Sequence, residues 1–168
     1  QIHAVRGHGQ IAIAGHNIKL GRGGIREIEF FVQTQQLIAG GRDKNLRGSQ
    51  TCPMLNQLAE RGWIKNETVE ELTGAYHFLR VIEHRLQMQQ DEQTHTLPKT
   101  EEKLQAFSVF CGYETLDDFK SRLAGVLETV QTYYAELFEQ GEVLANEMGN
   151  LVFAGSENDP ETLETLSQ

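Results

Sequence analysis

Asn66-ETVEELTGAYHFLRVIEHRLQMQ-Gln90 is the stretch whose spacing decides the fold. Val69, Leu72, Tyr76, Leu79, Ile82 and Leu86 recur at steps of three and four, which lines one face of a helix with apolar side chains. Asn66 offers an N-cap oxygen to the first free amides, and the pattern dies at about Gln90. A long helix with one apolar stripe needs neighbours to cover that stripe.

The rest of the chain supplies them. Downstream, Leu104, Phe107, Ser108 and Cys111 predict a fourth helix ending at Gly112. Thr115 followed three residues later by Asp118 is close to a capping box, and it opens a fifth helix striped by Leu116, Phe119, Leu123, Val126, Val130, Tyr134 and Leu137. Upstream, Ile25, Ile28, Phe31, Val32 and Ile38 predict a first helix stopped by Gly40-Gly41, and Pro53 can take the first turn of a short one through Leu55, Leu58 and Ala59 to about Gly62. Arg42 to Gln50 is a polar loop, and Asp91 to Pro98 a connecting one. Asn17-Ile18-Lys19-Leu20 alternates polar and apolar, as a short strand or extended segment does. No series of alternating β-branched segments competes, so the expected fold is all-α: an antiparallel bundle of about five helices with a short extended N-terminal segment.

Three parts are expected: 1–16 as a remnant of, or linker from, something upstream, 17–140 as the bundle, and 141–168 as a linker and the start of a further helix at Asp159-Pro160-Glu161. Residues 1–14 read as a frayed end without period. The chain opens on Gln1 and has no signal-peptide pattern, which is expected of an excised fragment.

Of the 168 residues, 39% are hydrophobic and 23% charged, the balance of a folded globular domain. No apolar run is long enough for a membrane span. Cys52 and Cys111 lack metal or disulfide spacing, so reduced thiols and a cytoplasmic location are expected. The net charge of −9 argues against nucleic acid, yet the charge is unevenly placed. Up to Arg47 bases outnumber acids, while from Gly141 onward there are acids and no bases.

The basic pole coincides with Lys19-Leu20-Gly21-Arg22-Gly23-Gly24-Ile25-Arg26-Glu27-Ile28-Glu29. An extended segment, glycines and then a helix can point backbone amides and a helix dipole at an anion, with Lys19, Arg22 and Arg26 adding charge. A plain helix entrance with solvated bases fits the same residues, because short glycine patterns are common. Glu27 and Glu29, two apart on a helix, point in different directions; one is a candidate to face a cleft, and an ion pair with Arg22 or Arg26 is expected for at least one. Arg80 and His84 share a face beside Glu83 and Arg85, and solvated or ion-paired faces are expected there. Neither the scattered His3, His8 and His16 nor the loop residues Asp91, Glu92 and His95 make a convincing metal set. No serine elbow or Cys–His pair is visible, so no catalytic residue is expected and an independent hydrolase or metalloenzyme is disfavoured.

The run from Asn17 to Gln33 resembles the segment that follows a nucleotidyltransferase domain in glutamine synthetase adenylyltransferases. The resemblance continues through Gly40-Gly41-Arg42, through Ala75-Tyr76-His77-Phe78-Leu79-Arg80-Val81-Ile82-Glu83-His84-Arg85-Leu86-Gln87, and through Asp91-Glu92-Gln93-Thr94-His95-Thr96-Leu97-Pro98. Members of that family attach AMP to glutamine synthetase in one half and remove it by phosphorolysis in the other; the Asp91–Pro98 loop looks like the adenylyl-removing half. Their Gly-Ser-x-Asp-x-Asp motif, which holds magnesium, is missing here. The resemblance therefore implies a non-catalytic helical domain packed on an upstream nucleotidyltransferase domain, without cofactor of its own, in an enzyme that uses Mg2+ and ATP, ADP or phosphate in nitrogen regulation. It implies glutamine synthetase as partner, and at the domain junction it makes Lys19, Gly21, Arg22, Gly23, Gly24 and Arg26 candidate phosphate or nucleotide contacts, with Glu27 and Glu29 facing the cleft. The alternative of another class is a regulatory module that binds the PII signalling protein or glutamine.

Overall fold

The stripe of 66–90 forms the centre of the molecule. In the computed structural model, which describes residues 10–90 and 94–153, α3 runs Asn66–Gln90 and buries Leu72, Leu79, Ile82 and Leu86 almost completely. Around it stand α1 (Ile25–Ala39), α2 (Thr51–Glu60), α4 (Glu101–Phe110) and α5 (Leu116–Phe153), so the described residues form five helices and no strand. The expected all-α class is what is found. By internal contact the chain divides into two compact units, Gln1–Tyr134 and Ala135–Gln168. Everything below concerns the first.

Local chemistry sets the helix ends. The Thr115 hydroxyl accepts from the Asp118 amide at 3.1 Å and donates to its carboxylate at 2.7 Å, which caps α5 in a close variant of the capping box. Gly112 has φ +85°, and the Tyr113 amide reaches back to the Ser108 carbonyl at 3.0 Å, which closes α4. Asn66 is the first residue inside α3 rather than its cap: the Val69 amide bonds to the Lys65 carbonyl. Pro53 lies within the first turn of α2, where its missing amide costs nothing.

Aromatic contacts fix α5 to its neighbours. Phe119 meets Phe107 and Tyr113 edge-on at 5.9 and 5.3 Å, and Phe31 of α1 meets Tyr133 at 6.3 Å. The Arg122 guanidinium lies 5.3 Å over Phe78 of α3, and the Tyr133 hydroxyl donates to Glu71 at 2.6 Å.

Three segments differ from the sequence reading. Residues 10–14 are not a frayed end: Ile11 and Ile13 are buried while Gln10, Ala12 and Ala14 are exposed, a period of two that tucks both isoleucines under the bundle. The Arg42–Gln50 loop is not wholly polar in role, because a 3-10 turn at Lys44–Leu46 inserts Leu46 between Ala39 and Leu58. And α5 stays helical beyond Leu137, where the apolar stripe ends, to Phe153. The further helix expected at Asp159-Pro160-Glu161 lies outside the described residues.

Candidate functional site

Asn17 shapes the approach to α1. It keeps one antiparallel bridge, to Thr96, and then its side-chain oxygen accepts from the Lys19 and Leu20 amides at 3.0 and 2.8 Å. Residues 18–20 therefore form a turn in place of the strand that alternation suggested, since an asparagine oxygen offers amides a local partner.

The glycines then pack. The Gly21 amide donates to Asn17 O at 2.8 Å, and the Gly24, Ile25 and Arg26 amides donate to the carbonyls of Gly21, Ile18 and Lys19 at 3.0 Å each. The Gly23 amide donates to Glu27 Oε2 at 2.8 Å. The amides that a bare glycine–helix entrance would aim at an anion are thus engaged by the chain itself, with the Glu27 carboxylate at the positive end of the helix dipole. Burial pushes the Glu27 carboxyl above its ordinary value, against the opposing pull of the Gly23 amide and Arg22. Gly23 has φ +70°, and a Cβ there would stand 2.1 Å from the Leu127 carbonyl of α5. The glycines let this turn lie against a neighbouring helix backbone.

The bases point elsewhere. Arg26 pairs with Glu29 at 3.0 Å, the expected local ion pair. Arg22 is exposed and lies near Glu27 and His16, whose Nε2 is 3.1 Å from the Arg22 carbonyl; burial holds the His16 pKa below its ordinary value. Lys19 turns inward and its Nζ lies 3.6 Å from Oε1 of Glu83. Glu29 lines an open cavity of about 540 Å3 with Gln33, Cys52 and Tyr76. Burial raises the Cys52 thiol pKa.

Glu83 is the centre of this region. It is only 2% exposed, and three stretches of chain bring nitrogen groups to it: Lys19 from the turn, Arg80 of α3 at 2.6 Å to Oε2, and His95 with Nδ1 at 2.9 Å from Oε1. The His95 Nδ1 is buried and lies off the line that a hydrogen bond needs, so its approach to the carboxylate is one of contact. Backbone bonds clasp the same two segments. The Gly15 amide donates to Pro98 O at 3.1 Å, Ile18 to His95 O at 2.9 Å, and Leu97 to His16 O at 2.9 Å.

Sequence reasoning did not single out Glu83, although a signal was there. With Tyr76, Leu79 and Leu86 it sits at steps of three, four and three, an acid on the apolar face, where an unpaired charge is almost never buried. His95 carries no such signal, because only the fold brings its loop to α3. Among the described residues there is no group of three or more His, Cys, Asp or Glu side chains placed to hold a metal ion, and no helix is long and apolar enough to cross a membrane.

Residues 3–138 match the family model described as GlnD PII-uridylyltransferase. Over its whole length the chain is 61% identical to the bifunctional glutamine synthetase adenylyltransferase/adenylyl-removing enzyme of Rhizobium meliloti. The chain belongs to the glutamine synthetase adenylyltransferase/adenylyl-removing enzyme family. The enzymes of that name from Brucella melitensis and Xanthobacter autotrophicus are 58% and 51% identical over 99% and 100% of the chain. The chain spans 17% of the length of each of these relatives. Three of the four stretches on which the sequence resemblance rests meet at Glu83, through Lys19 of the Gly-rich turn, Arg80 of α3 and His95 before Pro98.

Proposed function

We propose that this segment is a non-catalytic helical domain of a bifunctional glutamine synthetase adenylyltransferase and adenylyl-removing enzyme. In this reading it packs on a nucleotidyltransferase domain in the cytoplasm, and the bases at the entrance to α1 help place a nucleotide, a phosphate or the glutamine synthetase substrate. The observation that carries the reading is the convergence of three stretches on the buried Glu83, which holds Lys19 beside the Gly-rich turn. Exposed apolar side chains at Leu20 and, on α1, at Phe30 and Leu37, the last 82% exposed, support a further surface resting on this segment.

Magnesium and ATP, ADP or phosphate belong to the whole enzyme in this reading. The carboxylates near the turn do not fit a magnesium site: Glu27 accepts an amide, Glu29 pairs with an arginine, and Glu83 pairs with Arg80 and Lys19. The segment's own residues bind and orient; the acids that hold the metal lie on another part of the polypeptide.

Replacing Lys19 and Arg22 with alanine in the intact parent enzyme tests the role. Removal of AMP from glutamine synthetase is expected to slow by about tenfold or more, with unchanged folding. Wild-type kinetics in the double variant sinks the placement role. Capture of PII by the segment, in one modification state and not the other, would favour the regulatory alternative.

A further inference from the structure

The cluster at Glu83 holds more positive charge than an ion pair needs. Lys19 and Arg80 are permanent cations, His95 is a third nitrogen base, and among the described residues Glu83 is the carboxylate that they share. The nearest other acid at the turn, Glu27, is turned onto the Gly23 amide. A buried carboxylate is satisfied by one good cation with added hydrogen bonds, so the second cation is surplus.

The donors are also only partly used. Among the described residues, Arg80 makes one hydrogen bond, through Nη1 to Glu83, which leaves Nε and Nη2 of its planar fork without a protein partner. Among the described residues Lys19 meets Glu83, at a distance longer than a good hydrogen bond. The His95 Nδ1 is buried without one. Lys19 and Arg80 keep 33% and 38% of their side chains exposed, whereas Glu83 lies beneath them. The carboxylate thus gathers three nitrogen groups around one point, with Lys19 and Arg80 partly exposed above it and the His95 Nδ1 buried against it.

We propose that Lys19 and Arg80, organised by Glu83 with His95 packed behind it, form a clamp for a phosphate oxyanion. The fork of Arg80 takes two phosphate oxygens and Lys19 acts as a point charge, which is how these residue types divide such work. Glu83 is the positioning residue: it fixes the cations before the anion arrives, so less freedom is lost on binding. The clamp rests on this geometry alone, and it stands whether or not the segment serves the parent enzyme as proposed above.

The test is titration of the 168-residue chain with inorganic phosphate, and in parallel with phenyl phosphate, at ionic strength matched with chloride. Side-chain resonances of His95 and Arg80 report occupancy, and amide spectra report the fold of each variant. Saturable binding, on the order of millimolar, is expected, weakened about tenfold by Lys19→Met or Arg80→Gln. Glu83→Gln separates a clamp from general electrostatics. Net charge becomes more positive, so diffuse attraction would tighten binding, whereas loss of the organising carboxylate weakens it. Should that variant misfold, Arg80→Lys keeps the charge, removes the fork and is expected to weaken binding several-fold. Phenyl phosphate binding as well as inorganic phosphate assigns a phosphate carried on a larger molecule, and inorganic phosphate alone assigns the free ion. Absence of saturation above the chloride control, or tighter binding by a folded Glu83→Gln, overturns the proposal.

Discussion

At Gly23 a hydrogen occupies the place where any other residue would set a carbon against the backbone of α5. Both its positive φ and the 2.1 Å approach to the Leu127 carbonyl act in the same direction, and a carbonyl in a helix cannot step aside as a flexible side chain does. Gly23→Ala is expected to cost at least about 3 kcal/mol in urea denaturation. Gly74, inside α3 with nothing within 4 Å of an added Cβ, is the contrast: Gly74→Ala should gain about 0.5–1 kcal/mol from helix propensity. His16 makes a pH prediction. Its folded pKa is depressed below the ordinary 6.5, so as pH falls through 6.5 the unfolded chain takes up a proton that the native state refuses. Stability should decline over that window, and His16→Gln should flatten the slope in thermal melts. Glu27, whose pKa is raised above 4.5, works with the opposite sign: the native carboxyl is protonated first, and stability is regained as pH falls towards 4.5. The glycine run was legible as a motif, but its reason was not, because the partner at Leu127 lies on a helix about a hundred residues further along the chain.

Among the elements, helices were legible wherever their signals are local. The stripe of α3 and the Thr115–Asp118 box need only neighbours within a turn or two, and both appear as read. The clasp between residues 15–18 and 95–98 was not legible, since its hydrogen bonds are between main chains and leave no pattern in side chains. Residues 18–20 show the same limit: alternation suggested an extended run, and one asparagine oxygen bent it. Glu83 holds the clasp from below, so Glu83→Ala should loosen it. The cations left behind are partly exposed and can rehydrate, so the cost should be about 2 kcal/mol, below the 3–5 kcal/mol of a fully buried pair. Hydrogen exchange should locate the loss: the Ile18 and Leu97 amides should exchange faster while those of the α3 core keep their protection. Uniform acceleration across the bundle would instead mean that Glu83 supports the whole fold.

For the molecule as a whole, the sequence's basic pole reads differently in three dimensions. Lys19 is drawn onto Glu83 and Arg26 onto Glu29, and just past α2 Arg61 is drawn onto Asp43, so part of what looked like a free cationic surface is engaged. Linear charge maps cannot anticipate this, because the acids that meet Lys19 and Asp43's arginine come from other elements. The all-α class was legible, since it follows from periods that repeat along the chain. The centre at Glu83 was not, since it exists only where three distant segments cross. That crossing also bears on how the segment can change over generations. The clasp from Ile18 to His95 encloses α1, α2, α3 and their loops, and the entropy of closing such a loop rises only with the logarithm of its length, about 0.6 kcal/mol for each doubling. Residues inserted between Arg42 and Gln50 away from Leu46 would therefore barely disturb it, whereas a single carbon at Gly23 would. Drift in length is cheap here and drift in composition at the crossing is not, so related chains should vary in their loops while keeping the residues that meet at Glu83.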